Sequence, residues 1–296
     1  MSETTVVDIQ LETSQQIARK TRRDFLRFLR KNPITLVGLL IVAAFVGAGI
    51  FGSYLAPYDP MGMDLLHRLE GPSSAHLLGT DELGRDILSR ILYGAQISLG
   101  IGLLATLFSL TAGLVLGAVA GYFGGWWDTI IMRFIDVLLS FPGILLAILV
   151  IAVIGTGPNS VILAAGIQGV PTMSRVVRGE VLRLKEREFV ESAQAIGLGH
   201  WVILGRYILY NSLPPVIVIT TLNIGSAILT GAALSFLGMG VQPPEPEWGA
   251  MVSQGRDFIR TVPHVTTIPG LAIFIVVLGF NLLGDGLRDY LDPRTN

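Results

Sequence analysis

The chain has 296 residues, of which 51% are apolar and only 15% charged, with a formal net charge of -1 and a mean hydropathy of +0.62. This composition excludes an ordinary soluble domain, gives no basis for a nucleic-acid partner, and points to a membrane protein whose helices pack closely on its 35 glycines. The absence of cysteine excludes disulfides, thiolate catalysis and Cys-based metal sites.

Residues 1–18 form a polar tail. RRDFLRFLRKNP, Arg22 to Pro33, then sets Phe25, Leu26, Phe28 and Leu29 on one helical arc with most of its cations opposite. It reads either as an interfacial helix on anionic membrane lipid or as a plain positively charged anchor. The first apolar run is too long for a signal-peptide core and lacks a small-residue cleavage site.

Charge-free runs set the number of crossings. Lys31 to Asp59 encloses 27 uncharged residues, and Asp136 to Arg175 encloses 38, against the about 20 needed to span about 30 Å of hydrocarbon. GTGPNS, Gly155 to Ser160, divides the latter run. Six spans are predicted, at 34–56, 95–121, 130–153, 160–178, 211–237 and 266–287. An N-terminus inside places 16 of the 21 Lys and Arg residues on the inner side, so both termini are predicted to be cytoplasmic. The fold class is therefore all-α and polytopic, divided into a tail at 1–33, a first span at 34–56, an external loop at 57–94, a core at 95–287 and a tail at 288–296.

The external loop is too long for a simple connection. In HLLGTDELGRDILSRILYG, His76 to Gly94, either Thr80 or Asp81 can cap a helix whose Ile87, Leu88, Ile91 and Leu92 share a side. DELGRD superficially suggests a cation loop, but its spacing does not match an EF-hand. In the second span Gly113, Gly117 and Gly121 recur every four residues and expose bare backbone on one face, against which another helix is predicted to pack. In the fifth span Thr220, Asn223, Ser226 and Thr230 fall within about a third of the helix circumference. They either line a polar passage or hydrogen-bond a neighbouring helix.

Between the fourth and fifth spans, at 179–210, lies EFVESAQAIGLGHW. Phe189, Val190, Ala193, Ile196 and Gly197 share one helical face, with Glu188, Glu191 and Gln194 largely on another, and Gly197 and Gly199 end the helix. Such an element either docks into another protein or tucks against the bundle.

Glu191-Ser192-Ala193 followed by Gly197 resembles the E-A-A-x-x-x-G loop of ABC importer permeases. LAPYDP at Leu55 to Pro60, HLLGTDELGRDILSRILYGAQISL at His76 to Leu99, ALSFLGMGVQPPEPEWGAM at Ala233 to Met251 and FNLLGDGLRDYLDP at Phe280 to Pro293 resemble the C-type permease subunit of dipeptide, oligopeptide and nickel importers. Together they cover nearly the whole chain. The resemblance implies an ABC importer permease fold with an extra N-terminal helix. Its implied partners are a companion B-type permease, two cytoplasmic ATPase subunits that hold ATP and Mg, and an external substrate-binding protein. It also implies a coupling role for Phe189, Glu191, Ser192, Ala193, Ile196 and Gly197, peptide as the first expected cargo, and nickel, glutathione or oligosaccharide as alternatives. Ser192 in place of the second Ala, with Tyr207 and Tyr210 where the longer pattern often has Ile and Pro, puts the bend into span five in doubt.

One point stands without the resemblance. A P-loop needs G-x-x-x-x-G-K-[ST], and the only lysines, Lys20, Lys31 and Lys185, follow Arg19, Arg30 and Leu184. Any ATPase must be a separate chain, and no cofactor or catalytic residue is expected on this one. An ion-coupled secondary transporter would need Asp136 or Asp285 at mid-membrane, and both sit near predicted span ends; an intramembrane aspartyl protease would need G-x-G-D, which Gly284-Asp285-Gly286 is not, and a Tyr before Asp136, which is absent. Interfacial capping or pairing with Arg133 and Arg288 explains both aspartates. His67, His76, His200 and His264 lack metal-ligand spacing.

Overall fold

The computed structural model describes residues 27–291, and among them the chain is helical, with one isolated bridge between Thr80 and Asp86 and no strand. In chain order the helices are α1 (27–31), α2 (Pro33–Leu55), α3 (Ile87–Phe123), α4 (Gly125–Ser140), α5 (Gly143–Ile154) and α6 (Pro158–Lys185). After these come α7 (Glu188–Ala195), α8 (His200–Val202), which runs into a π-helical turn at Ile203–Leu209, α9 (Leu213–Phe236), α10 (Trp248–Gly255) and α11 (His264–Leu291). Five helices are individually long and apolar enough to cross a membrane, and α4 with α5 make a sixth crossing if taken as one broken span.

Helices α3 and α6 form the centre. Gly117 decides how close they come, because a Cβ there would stand 2.9 Å from Val177 Cβ and collide with the Ser174 carbonyl. Gly113 meets Met173 and Gly121 meets Val181 in the same way, so the stripe faces α6 of the same chain. Bare backbone lets the two helices gain dispersion contacts that lipid alone does not drive. Around this pair, the half beside the 57–86 loop, termed outer after the predicted orientation, buries Trp248, Ile87, Leu99 and Val276, and the half beside α7, termed inner on the same basis, buries Val177, Val181, Val190, Ile203 and Ile208.

Four expectations need correction. The third span is not one helix over 130–153: it breaks at Phe141-Pro142, where the axes of α4 and α5 differ by 97°. Proline removes an N–H and clashes with the preceding turn, and the residue before it leaves the helical region. At 1.5 Å per residue the arms are about 24 and 18 Å long, and at this angle their far ends stand about 28 Å apart, close to the hydrocarbon thickness. Secondly, α3 begins at Ile87, so the helix expected within the 57–94 loop and the second span form one continuous helix, and its cap is Asp86 rather than Thr80 or Asp81, with the Asp86 carboxylate accepting from Ser89 N at 2.8 Å. Thirdly, Asp136 pairs with Arg175 at 2.7 Å, not with Arg133. Lastly, Leu29 is buried and the Phe28 ring lies 5.1 Å from that of Tyr290. This part of the basic segment therefore seats on the end of α11 rather than turning both residues to lipid. Phe25 and Leu26, like residues 1–18, lie outside the described residues.

Candidate functional site

Two sites stand at different levels of the bundle, and a third region braces its outer end. On the inner side, α7 follows the end of α6 after two residues. Glu188 and Glu191 fall in its first turn, where carboxylates favour the helix dipole. Its end is a Schellman turn: Gly197 N donates to Gln194 O at 2.9 Å and Leu198 N to Ala193 O at 3.2 Å. Gly197 has φ +80°, a conformation that costs a side-chain-bearing residue.

The predicted apolar arc divides. Val190 and Ala193 are buried against Val181, Leu184, Ile203 and Leu204, whereas Phe189 is 38% and Ile196 75% exposed. A helix this short needs tertiary packing to persist, and those two buried side chains supply it. What remains outward is a mixed surface of Phe189, Glu191, Ser192 and Ile196, continued by exposed Trp201 and Tyr210. The segment is tied to the inner ends of the spans. The Tyr122 hydroxyl lies 3.0 Å from His200 Nδ1, and Lys185 Nζ donates to Tyr122 O at 2.6 Å. Arg178 grips Asp128 of α4 through two hydrogen bonds of 2.6 Å. Tyr207 and Tyr210 lie at the π-helical turn and just beyond it. Helix α9 begins at Leu213 after a single turn residue, Ser212, with Pro214 in the first turn of the new helix.

Midway along their lengths, α6 and α9 line an open recess of about 220 Å³, with Thr172 and Ser226 exposed at its mouth, that carries no charged side chain. Asn223, Ser226 and Thr230 line it from α9, with Gln168 and Thr172 from α6. Two of these residues hydrogen-bond neighbouring helices, the second of the sequence alternatives: Asn223 Nδ2 donates to Ser109 Oγ on α3 at 2.7 Å, and Thr230 Oγ1 to Gln168 Oε1 on α6 at 3.0 Å. Thr220 is different, since it does not line the cavity and its hydroxyl donates to Val216 O of its own helix at 2.7 Å. Gln168 and Thr172 were missed. Gln168, the one amide between the GTGPNS turn and Arg175, was the available signal.

At the outer end the DELGRD stretch folds back as a buried ionic lock. Asp81 accepts from Leu83 N, Arg85 N and Arg85 Nε at 2.9, 3.0 and 2.7 Å. Asp86 accepts from His76 Nδ1 at 2.9 Å and from Ser89 Oγ at 2.7 Å, while Arg90 Nη1 reaches Pro60 O at 2.9 Å. Across from these, Glu247 caps α10 by accepting from Gly249 N and Ala250 N at 3.0 and 2.9 Å. Burial pushes its carboxyl above the ordinary range, against the pull of those two amides. Asp81 and Asp86 are thus engaged with side chains and backbone, whereas Glu82 Oε2 is buried without a hydrogen-bond partner. Asp285 and Arg288 are exposed near the inner end of α11.

Residues 113–296 match the family model of the binding-protein-dependent transport system inner membrane component, and residues 21–72 match the N-terminal transmembrane domain of oligopeptide transport permease C. The chain is similar to the glutathione transport system permease protein GsiD of Pectobacterium atrosepticum, with 49% identity over 90% of this chain and 89% of that one. It is 46% identical to the dipeptide transport system permease protein DppC of Alkalihalophilus pseudofirmus, over 92% and 90% of the two chains. Among solved structures, the MetNI methionine ABC transporter in an inward-facing conformation shares the fold at 17% identity, covering 69% of this chain and 96% of that one with a TM-score of 0.55.

Proposed function

The chain belongs to the binding-protein-dependent transport system inner-membrane components, as an ABC importer permease subunit, and from that premise we propose that it forms half of a pore for short peptides and couples that pore to separate ATPases. A companion permease supplies the other half, an external binding protein delivers the cargo, and two cytoplasmic ATPase subunits hold ATP and Mg. Both termini lie in the cytoplasm, as the distribution of Lys and Arg favours. Peptide cargo fits the names of the relatives, dipeptide and glutathione permeases, and glutathione is itself a small peptide. It also fits the uncharged hydroxyl and amide lining, which can exchange hydrogen bonds with peptide groups without trapping a charged terminus.

The observation that carries the coupling role is the division of α7. Two side chains fix it to α6 and to the turn before α9, leaving Phe189, Glu191 and Ile196 outward for an ATPase cleft. Glu191→Lys reverses an exposed charge without touching the packed face. In a reconstituted complex it should insert and assemble but lose most substrate-stimulated ATP hydrolysis and uptake. Wild-type uptake at equal expression would remove the coupling assignment.

A further inference from the structure

The break between α4 and α5 leaves backbone that hydrocarbon cannot satisfy. In an unbroken helix each carbonyl accepts from the N–H four residues on; for Leu138 that residue is Pro142, which has none. Phe141 is extended, at φ -90° and ψ 136°, so the neighbouring carbonyls lose their helical geometry as well. Val137 O is satisfied locally by the Ser140 hydroxyl at 2.7 Å. Ser140, Phe141 and Pro142 are all exposed on this chain.

The position of this elbow is fixed by what touches it. A Cβ on Gly143, the first residue of α5, would stand 3.0 Å from Gln168 Cδ. Gln168 lines the central cavity and accepts from Thr230 there. One side chain therefore separates the elbow from the cavity, and the elbow lies within the span rather than at its ends. Irregular backbone at membrane depth is tolerated only where protein buries it or water reaches it.

We propose that the elbow at residues 140–142 belongs to the aqueous lining of the pathway, the carbonyls of Leu138, Ser140 and Phe141 accepting hydrogen bonds from the N–H groups of a passing peptide. The Pro142 carbonyl already accepts from Leu145 N and Leu146 N at 2.9 and 3.0 Å. Carbonyls only accept, so the elbow complements the hydroxyl and amide groups of the cavity, which also donate. This inference rests on the permease reading above.

The Cys-free sequence makes the proposal measurable. In the assembled complex in vesicles, a charged methanethiosulfonate should modify Ser140→Cys and Phe141→Cys within about tenfold of the rate at the cavity position Ser226→Cys. Both should react about 100-fold faster than Leu149→Cys, an exposed apolar position on α5, because the reactive thiolate forms only where water reaches it. If Ser226→Cys reacts while both elbow variants are as slow as Leu149→Cys, lipid or the companion subunit covers the elbow; the proposal is then overturned and the permease reading stands. Slow reaction at Ser226→Cys as well would overturn the pathway itself.

Discussion

The outer and inner ends of the bundle are held by opposite means. At the outer end Arg85, Arg90, Asp81, Asp86 and Glu247 are all at most 5% exposed, and their hydrogen bonds tie the external loop to α3 and α10. At the inner end α7 carries exposed carboxylates and is fixed by Val190, Ala193 and a glycine-ended turn. Buried ions are costly to unpair, so the outer arrangement resists displacement. A short helix resting on two apolar side chains can move together with the span beneath it. The contrast suits a subunit that receives force on one side and holds its shape on the other.

The contrast presumes that the two ends lie on opposite sides of the membrane, which gives the largest expected effect. Ser74→Cys and Gln194→Cys, both exposed, should be labelled by an impermeant thiol reagent from opposite faces, all or none. Labelling of both from one face would end the comparison and the ATPase partnership with it.

Next in size is Asp81→Ala, which takes from the Arg85 guanidinium, itself 1% exposed, its shortest ion pair and leaves it Glu82 at 3.7 Å and Gln254 at 3.3 Å. Loss of one partner of a buried pair should cost about 3–5 kcal/mol, read as thermal unfolding in detergent. Glu191→Ala on exposed α7 should cost no more than about 0.5 kcal/mol by the same measurement. Equal losses would mean that the two ends are braced alike.

A smaller effect than that of Asp81→Ala is expected for Gly117→Leu, between the two ends, where the added side chain meets Ser174 and Val177. Overpacking of this kind should cost about 1–3 kcal/mol and lower uptake by shifting α6, from which α7 hangs. Unchanged stability and uptake would show that α3 and α6 part easily and transmit nothing between the ends.

Much of this was legible in the sequence because lipid imposes simple rules. Charge-free runs marked five helices to within a few residues, except that α3 starts eight residues earlier and α6 ends seven residues later than the predicted spans, and polar spacing gathered Asn223, Ser226 and Thr230 on one face. What was not legible depends on contacts between distant segments. Thr80 and Asp81 were both eligible caps, but the Thr80–Asp86 bridge and the engagement of Asp81 with Arg85 leave Asp86 at the start of α3. Pro142 breaks its span, yet Pro171 and Pro269 sit inside helices that continue, so proline alone did not mark the elbow. Arg133 was the near partner for Asp136 in sequence; the crossing of α4 over α6 brings Arg175 instead.

The broken span also bears on how the chain enters the bilayer. Neither arm is long enough to be accepted alone as a crossing segment, so the two must be recognised together as one hydrophobic stretch during synthesis. That stretch carries Asp128 and Asp136, which are costly in hydrocarbon until Arg178 and Arg175 arrive on the very next helix to emerge. The order of segments along the chain thus shortens the interval in which two carboxylates wait without counter-ions. Biogenesis of this region is a joint event of α4, α5 and α6, in which the kink is completed only once its neighbour is in place.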